Sequence, residues 1–167
     1  MTVFEKFKSI TTFVLDIDGV LTDGGLLILS DGQQARVMNI KDGYAIQLAV
    51  KRGYRFVVIS GSHSEAIRDR LANLGVTECF MQVANKKEKL LEIITQSGLH
   101  KAEILYMGDD IPDLEAMQLA GLPCCPADAV EEIKQSALYV SPFEGGKTCV
   151  RDVIEKVMKL NDSWFGF

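Results

Sequence analysis

The stretch Thr12-Phe-Val-Leu-Asp16-Ile-Asp18-Gly19 decides how this chain is read. Phe13, Val14 and Leu15 are apolar at successive positions, so an extended segment there is buried on both faces, as strands of a parallel sheet are. Two carboxylates, Asp16 and Asp18, then stand in alternation at what should be the strand's carboxyl end, where open parallel sheets bind their ligands. Working outward, strand-length apolar runs recur at Arg55–Ser60, Glu103–Met107, Leu122–Cys125 and Leu138–Val140, with helix-period stretches between them. That alternation predicts an α/β fold: a Rossmann-like parallel sheet flanked by crossover helices.

The intervening helices have readable ends. In Ser62–Leu74, Ser62 and Glu65 have capping-box spacing, Ile67, Leu71 and Leu74 share a face, and Gly75 supplies a left-handed stop. Asp42 is expected to cap a helix that runs through Val50 and stops at Gly53, while Lys87–Ser97 carries Leu90, Leu91, Ile93 and Ile94 ahead of Gly98. Pro112 suits a first helical position before Leu114 and Met117, and Val150, Val153, Ile154, Val157 and Met158 outline a C-terminal amphipathic helix. One stretch breaks the alternation. Leu26–Leu29 and Ala35–Ile40 read as two strands joined across Ser30-Asp31-Gly32, a β-hairpin projecting just after the first strand.

Composition narrows the class. A chain of 167 residues with 47% hydrophobic and 25% charged residues suits one compact domain spanning 1–167 and is too apolar to be disordered. Its longest apolar runs fall far short of the ~20 residues a membrane span needs. Met1 to Lys8 lacks the basic start and apolar stretch of a secretory signal, so a cytoplasmic protein without a membrane partner is expected. With 18 Lys plus Arg against 23 Asp plus Glu, the net charge of −5 argues against a nucleic-acid partner. Cys79, Cys124, Cys125 and Cys149 show no metal-ligand spacing and read as buried small apolar residues.

Three strand ends carry the chemistry. Beside Asp16 and Asp18, the Arg55–Ser60 strand ends in Ser60-Gly61, and Ile104-Leu-Tyr-Met-Gly108 ends in Asp109-Asp110 with Asp113 following. Carboxylates at that density repel one another unless a cation compensates. An all-oxygen donor set without His or Cys points to Mg²⁺.

Asp16-Ile-Asp-Gly-Val-Leu-Thr-Asp23, Ser60-Gly61, Lys86 and Gly108-Asp-Asp-Ile-Pro-Asp113 resemble, in order, the four motifs of the haloacid dehalogenase (HAD) superfamily phosphatases. Asn39-Ile-Lys-Asp-Gly43, Cys125-Pro-Ala-Asp-Ala129 and Gly145-Gly-Lys-Thr-Cys-Val-Arg151 are similar to the 3-deoxy-D-manno-octulosonate 8-phosphate (KDO 8-phosphate) phosphatases and their nine-carbon relatives. The resemblance implies Asp16 as nucleophile and Asp18 as general acid and base. It also implies Mg²⁺ held by the side chains of Asp16 and Asp109 and the backbone carbonyl of Asp18. Ser60, Gly61 and Lys86 would hold the phosphoryl group; from the residues alone, Lys87 and Lys89 compete with Lys86. Asp110 and Asp113 would position the metal's waters or Lys86. Asn39, Lys41, Asp42, Gly43 and Arg70 match substrate-contacting positions, whereas Ser62-His63 replaces an Arg that many relatives carry after the Ser/Thr-Gly pair. That departure keeps a nine-carbon 9-phosphate open beside the eight-carbon acid.

No cap domain fits between these motifs, so the site needs another cover. The resemblance implies a homotetramer in which neighbouring subunits close it, with Gly145–Arg151 or the tail Trp164-Phe-Gly-Phe167 reaching toward a partner. Two other classes stay open: a receiver-like phosphoacceptor domain, and a non-catalytic oligomerisation module of the kind joined to sugar-acid nucleotidyltransferases. Against the receiver, a strand in the middle of the order ends in Ser60 rather than in an acid. Against the module stand the intact Asp16, Asp18, Lys86 and Asp109.

Overall fold

A computed structural model describes residues 2–164. Six parallel strands form one sheet in the order β5-β4-β1-β6-β7-β8, where β1 is Thr12–Leu15, β4 Arg55–Ile59, β5 Glu78–Phe80, β6 Ile104–Met107, β7 Leu122–Cys125 and β8 Tyr139–Val140. β1 lies inside, with Phe13 in register with Phe56 of β4 and Leu105 of β6. The parity of the strands sorts the core into two layers. Phe13, Leu15, Phe56, Val58, Leu105 and Met107 face the helices α2 (Ile40–Lys51), α3 (Glu65–Asn73) and α7 (Cys149–Leu160). Val14, Val57, Ile59, Ile104 and Tyr106 face α4 (Lys86–Ser97), α5 (Leu114–Met117) and α6 (Glu131–Ser136). The α/β class read from the sequence is therefore the fold observed. Among the described residues no helix is long and apolar enough to cross a membrane.

Several local expectations are corrected. Ser62 does not cap α3: its N–H donates to Ser60 Oγ at 3.2 Å, and Ser64 caps Ile67 instead, so the helix starts at Glu65. Asn39, not Asp42, caps α2 through Lys41 N–H at 2.9 Å. That cap also ends the hairpin early, because Ile40 is already helical. The paired strands are only β2 (Leu27–Ile28) and β3 (Gln34–Ala35), followed by a single bridge between Thr22 and Met38. Pro112 lies in a 3₁₀ turn, Ile111–Asp113, immediately before α5. The short helices α1 (Val3–Lys8) and α6 have no counterpart in the sequence reading. Gly98 does end α4 in the left-handed conformation, at φ 66°.

Candidate functional site

β1 stops at Leu15, and the chain makes a wide turn over Ile17–Leu21. Asp16 stays extended, and Ile17 N–H donates to its Oδ1 at 2.7 Å, which aims Oδ2 elsewhere. Gly19 completes the turn at φ 85°, in contact with the next acidic strand end: a Cβ there would lie 2.0 Å from Asp109 Oδ2. Only glycine lets the turn and Asp109 share that space. From the far end of the chain, Gly145 and Gly146 brace the same turn; Gly146 N–H donates to Val20 O at 2.9 Å, and a Cβ on Gly145 would fall 2.0 Å from Gly19 O.

α4 delivers the cation. Asn85 caps it, and its first residue, Lys86, is buried, with Nζ 2.9 Å from Asp16 Oδ2 and 2.8 Å from Asp113 Oδ1. Lys87 and Lys89 turn outward to Glu115 and Glu92. The same Asp113 Oδ1 accepts the Tyr106 hydroxyl at 2.7 Å, and Asp113 Oδ2 accepts Asp109 N–H at 3.2 Å. Asp113 thus orients Lys86 and holds the Asp109 backbone. Sequence reasoning missed Tyr106. The available signal was a phenol inside a strand buried on both faces, where its hydroxyl needs a partner. Asp110 spends its carboxylate on the neighbouring turn, accepting Ile111 N–H at 2.7 Å.

Burial, with Asp113 and Lys86 pulling in opposite directions, raises the Asp16 carboxyl to about 7. Burial, then the charges of Asp16 and Asp113, raises Asp109 to about 7. Burial alone would lower the Lys86 ammonium, but the carboxylates of Asp16 and Asp113 hold it above its usual value. One oxygen each from Asp16, Asp109 and Asp113 falls within 4.8 Å of the others. Asp113 is already committed to Lys86, Tyr106 and Asp109 N–H, whereas Asp109 Oδ1 is buried with no hydrogen-bond partner. A buried orphan carboxylate oxygen beside a second raised carboxyl fits a hard divalent cation, with Asp16 and Asp109 as side-chain ligands.

Asp18 turns away from this pair. Arg36, just past β3, donates from Nε to Asp18 Oδ1 at 2.6 Å and from Nη2 to Oδ2 at 3.4 Å. Arg36 also escaped the sequence reading, since nothing local links a hairpin arginine to a carboxylate 18 positions earlier. Opposite, Ser60 lies at the end of β4, with its hydroxyl 3.0 Å from Ser62 Oγ. Asp16, Asp18, Ser60, Gly61, Ser62, Lys86, Asp109, Asp110 and Asp113 line one cleft of about 320 Å³ together with Gly24 and Pro112.

Asn39, Lys41, Asp42, Gly43 and Arg70 are not in that lining. Asn39 is spent on its cap and on Gly146 O, to which its Nδ2 donates at 3.1 Å. Asp42 is 1% exposed and accepts Arg151 N–H at 2.7 Å. It therefore caps α7 from another helix, a service that Thr148, left-handed at φ 79°, does not perform for itself. Gly43 is buried beneath Arg70, whose Nη2 a Cβ would approach to 2.9 Å. Lys41 is exposed. In this chain the Asn39–Gly43 stretch ties α2 to the Gly145–Arg151 segment. Gly145–Arg151 likewise packs on its own chain. Trp164 folds back over Arg151, 5.3 Å from ring centroid to guanidinium, and Phe165–Phe167 lie outside the described residues. Cys124, Cys125 and Cys149 are buried as expected, and Cys79 is half-buried on the sheet edge.

Comparison with known proteins adds a second kind of observation. A family model described as haloacid dehalogenase-like hydrolase matches residues 75–144. The 3-deoxy-D-manno-octulosonate 8-phosphate phosphatase of Escherichia coli K12 is 30% identical over 156 residues, covering 93% of this chain and 83% of that protein. The crystal structure of the Yersinia pestis enzyme of that name superposes with a TM-score of 0.93 at 27% identity, over 96% of this chain and 87% of that one. The Moraxella catarrhalis enzyme, solved with a magnesium ion, a phosphate ion and a KDO molecule, gives a TM-score of 0.91 at 28% identity, over 95% and 91%.

Proposed function

The chain belongs to the 3-deoxy-D-manno-octulosonate 8-phosphate phosphatase family of haloacid dehalogenase-like hydrolases, and we propose from this that it is a Mg²⁺-dependent phosphatase of a phosphorylated 2-keto-3-deoxy sugar acid, KDO 8-phosphate or a nine-carbon 9-phosphate. The observation that carries the reading is the meeting of Asp16, Asp109 and Lys86 at one cleft, with a buried Asp109 oxygen left for a cation. Bound between Asp16 and Asp109, with the Asp18 carbonyl as a further ligand, Mg²⁺ would supply positive charge against the phosphoryl oxygens.

The chain's own residues do the rest. Lys86 neutralises a phosphoryl oxygen and, held by Asp113, keeps Asp16 in line. Ser60 Oγ and the N–H groups near Gly61 donate to the remaining oxygens. An Asp16 carboxylate oxygen attacks phosphorus, and the phosphorus–oxygen bond to the sugar breaks with its electron pair on the departing oxygen. Asp18 protonates that oxygen. Asp18 then takes a proton from water as the water attacks phosphorus, so that Asp16 is released as a carboxylate and inorganic phosphate leaves.

The cleft is open and the hairpin bare, with Leu27 63% and Ile28 67% exposed. These side chains support a homotetramer in which hairpins pair and a neighbouring subunit covers the site. We place the enzyme in the cytoplasm, acting in lipopolysaccharide sugar synthesis, with one catalytic domain carrying the whole site. The test is a panel of eight- and nine-carbon sugar-acid phosphates and simple sugar phosphates assayed with Mg²⁺, for the wild type and Asp16→Asn. A marked preference for one sugar acid, lost in Asp16→Asn with the assembly retained, bears the reading out. Equal, weak turnover across the panel refutes the substrate class, and full activity in Asp16→Asn refutes the chemistry. A slowly decaying aspartyl phosphate with no preferred ester would return the receiver reading.

A further inference from the structure

We propose that Arg36 is a positioning residue for the acid and base Asp18, tying proton transfer in the site to the base of the hairpin. The inference rests on the proposed function, which makes Asp18 the proton carrier, and goes beyond it by naming what holds that carrier.

From Asp23 through Ala35 every residue is exposed. Arg36 is the first residue of the returning arm to be covered, with a side chain only 5% exposed, and its Nε and Nη2 both go to the carboxylate of Asp18. Burying a guanidinium costs desolvation and rotamer freedom, which two charge-assisted hydrogen bonds to one carboxylate offset. Asp18 has the greater need. It stands on a turn with non-helical dihedrals, φ −72° and ψ 121°, next to Gly19 at φ 85°, and among the described residues no other group bonds to its carboxylate. Lys86, the cation that lines the cleft, is occupied by Asp16 and Asp113. Without Arg36 the Asp18 carboxylate keeps no hydrogen bond among the described residues to hold it in one staggered rotamer, and a proton donor must meet the leaving oxygen within hydrogen-bond reach. The fork grips Asp18 from the hairpin side, because Arg36 lines the hollow at the base of the hairpin with Asp23, Gly25 and Val37 and does not line the cleft. Its role is therefore to orient the carboxylate, not to contact the phosphate ester.

The leaving group separates this role from a structural one. Forming the aspartyl phosphate from an alkyl ester requires a proton for the departing alkoxide, whereas p-nitrophenolate departs without one. Arg36→Met and Arg36→Lys are made in the full chain, checked by circular dichroism and sedimentation for native fold and assembly, and followed by rapid-quench measurement of aspartyl-phosphate formation. The substrates are the best sugar-acid phosphate of the panel and p-nitrophenyl phosphate. Arg36→Met is expected to slow formation from the alkyl ester about 10- to 100-fold while changing the aryl ester less than about threefold, with KM little altered. Arg36→Lys, which restores one charged donor, should recover part of the loss. Equal losses for both esters, or a raised KM with unchanged rate, would overturn the proposal in favour of a purely structural or substrate-anchoring arginine. Unchanged rates in both variants would also overturn it. Failure of the wild type to turn over either ester would instead sink the phosphatase reading.

Discussion

Metal-free protein should lose stability as pH rises toward neutrality, and Mg²⁺ should counter that loss. Asp16 and Asp109 have carboxyls raised from 3.8 to about 7, in each case first by burial and then by neighbouring charge. Between those limits the folded chain keeps protons that the unfolded chain has released, so stability is fully present below 3.8, is lost progressively as pH climbs toward 7, and stops falling above it. Asp42, raised by burial to about 6, adds a loss of the same sign at lower pH, which makes pH 6 to 7.5 the diagnostic interval. One pKa unit is about 1.4 kcal/mol, and roughly one unit per group lies in that interval. Asp109 is partly open to solvent and the two groups share one field, which reduces the sum to about 1–2 kcal/mol. Urea titrations in a chelator at pH 6 and 7.5 measure it directly, and the same titrations in Mg²⁺ should show a stabilisation that grows with pH, because the cation displaces those protons. A metal-free midpoint that is flat or rises over this interval would refute the reasoning. So would a fall that survives intact in the Asp16→Asn/Asp109→Asn double variant.

Lys86→Met should cut phosphate release by ~10²-fold or more and destabilise the fold by about 3 kcal/mol at pH 8, recovering in part at lower pH as Asp16 takes up a proton; activity assays and thermal melts across pH check both parts. Asp42→Ala should cost about 1–2 kcal/mol by leaving Arg151 N–H without its acceptor, yet leave KM unchanged in steady-state kinetics; a raised KM with normal stability would return Asp42 to the substrate. Replacing Leu27 and Ile28 together with Asp should dissociate the assembly in sedimentation without unfolding the subunit, since both side chains are exposed in the single chain.

What could be read from sequence followed the range of the interactions. β1, β4, β6 and β7 announce themselves as short apolar runs, and the acids beyond Leu15 and Met107 are adjacent in sequence to the strands that carry them, so Asp16, Asp109 and their neighbours were legible. Local competition blurred the helix starts. Ser62 has the capping-box spacing, yet it is engaged with Ser60, and Ser64 Oγ accepts Ile67 N–H in its place. Long-range partners were invisible. Asp42 meets the backbone of Arg151 across 109 positions, and no pattern around either residue declares the tie. The same holds for Arg36, whose partner is set by how far the hairpin leans over the turn rather than by any periodicity. Lys86 lay between these cases: three lysines cluster there, and only the burial of the first residue of α4 distinguishes it.

The two glycines that brace the acidic turn, Gly145 and Gly146, come from the last quarter of the chain. The turn bearing Asp18 is therefore unsupported until that late segment has been made and has packed against it. Competence for turnover therefore waits until the final segment has wrapped back over the first, and products ending before that segment would lose the brace together with α7, whose Val150, Val153, Ile154, Val157 and Met158 lie in the core.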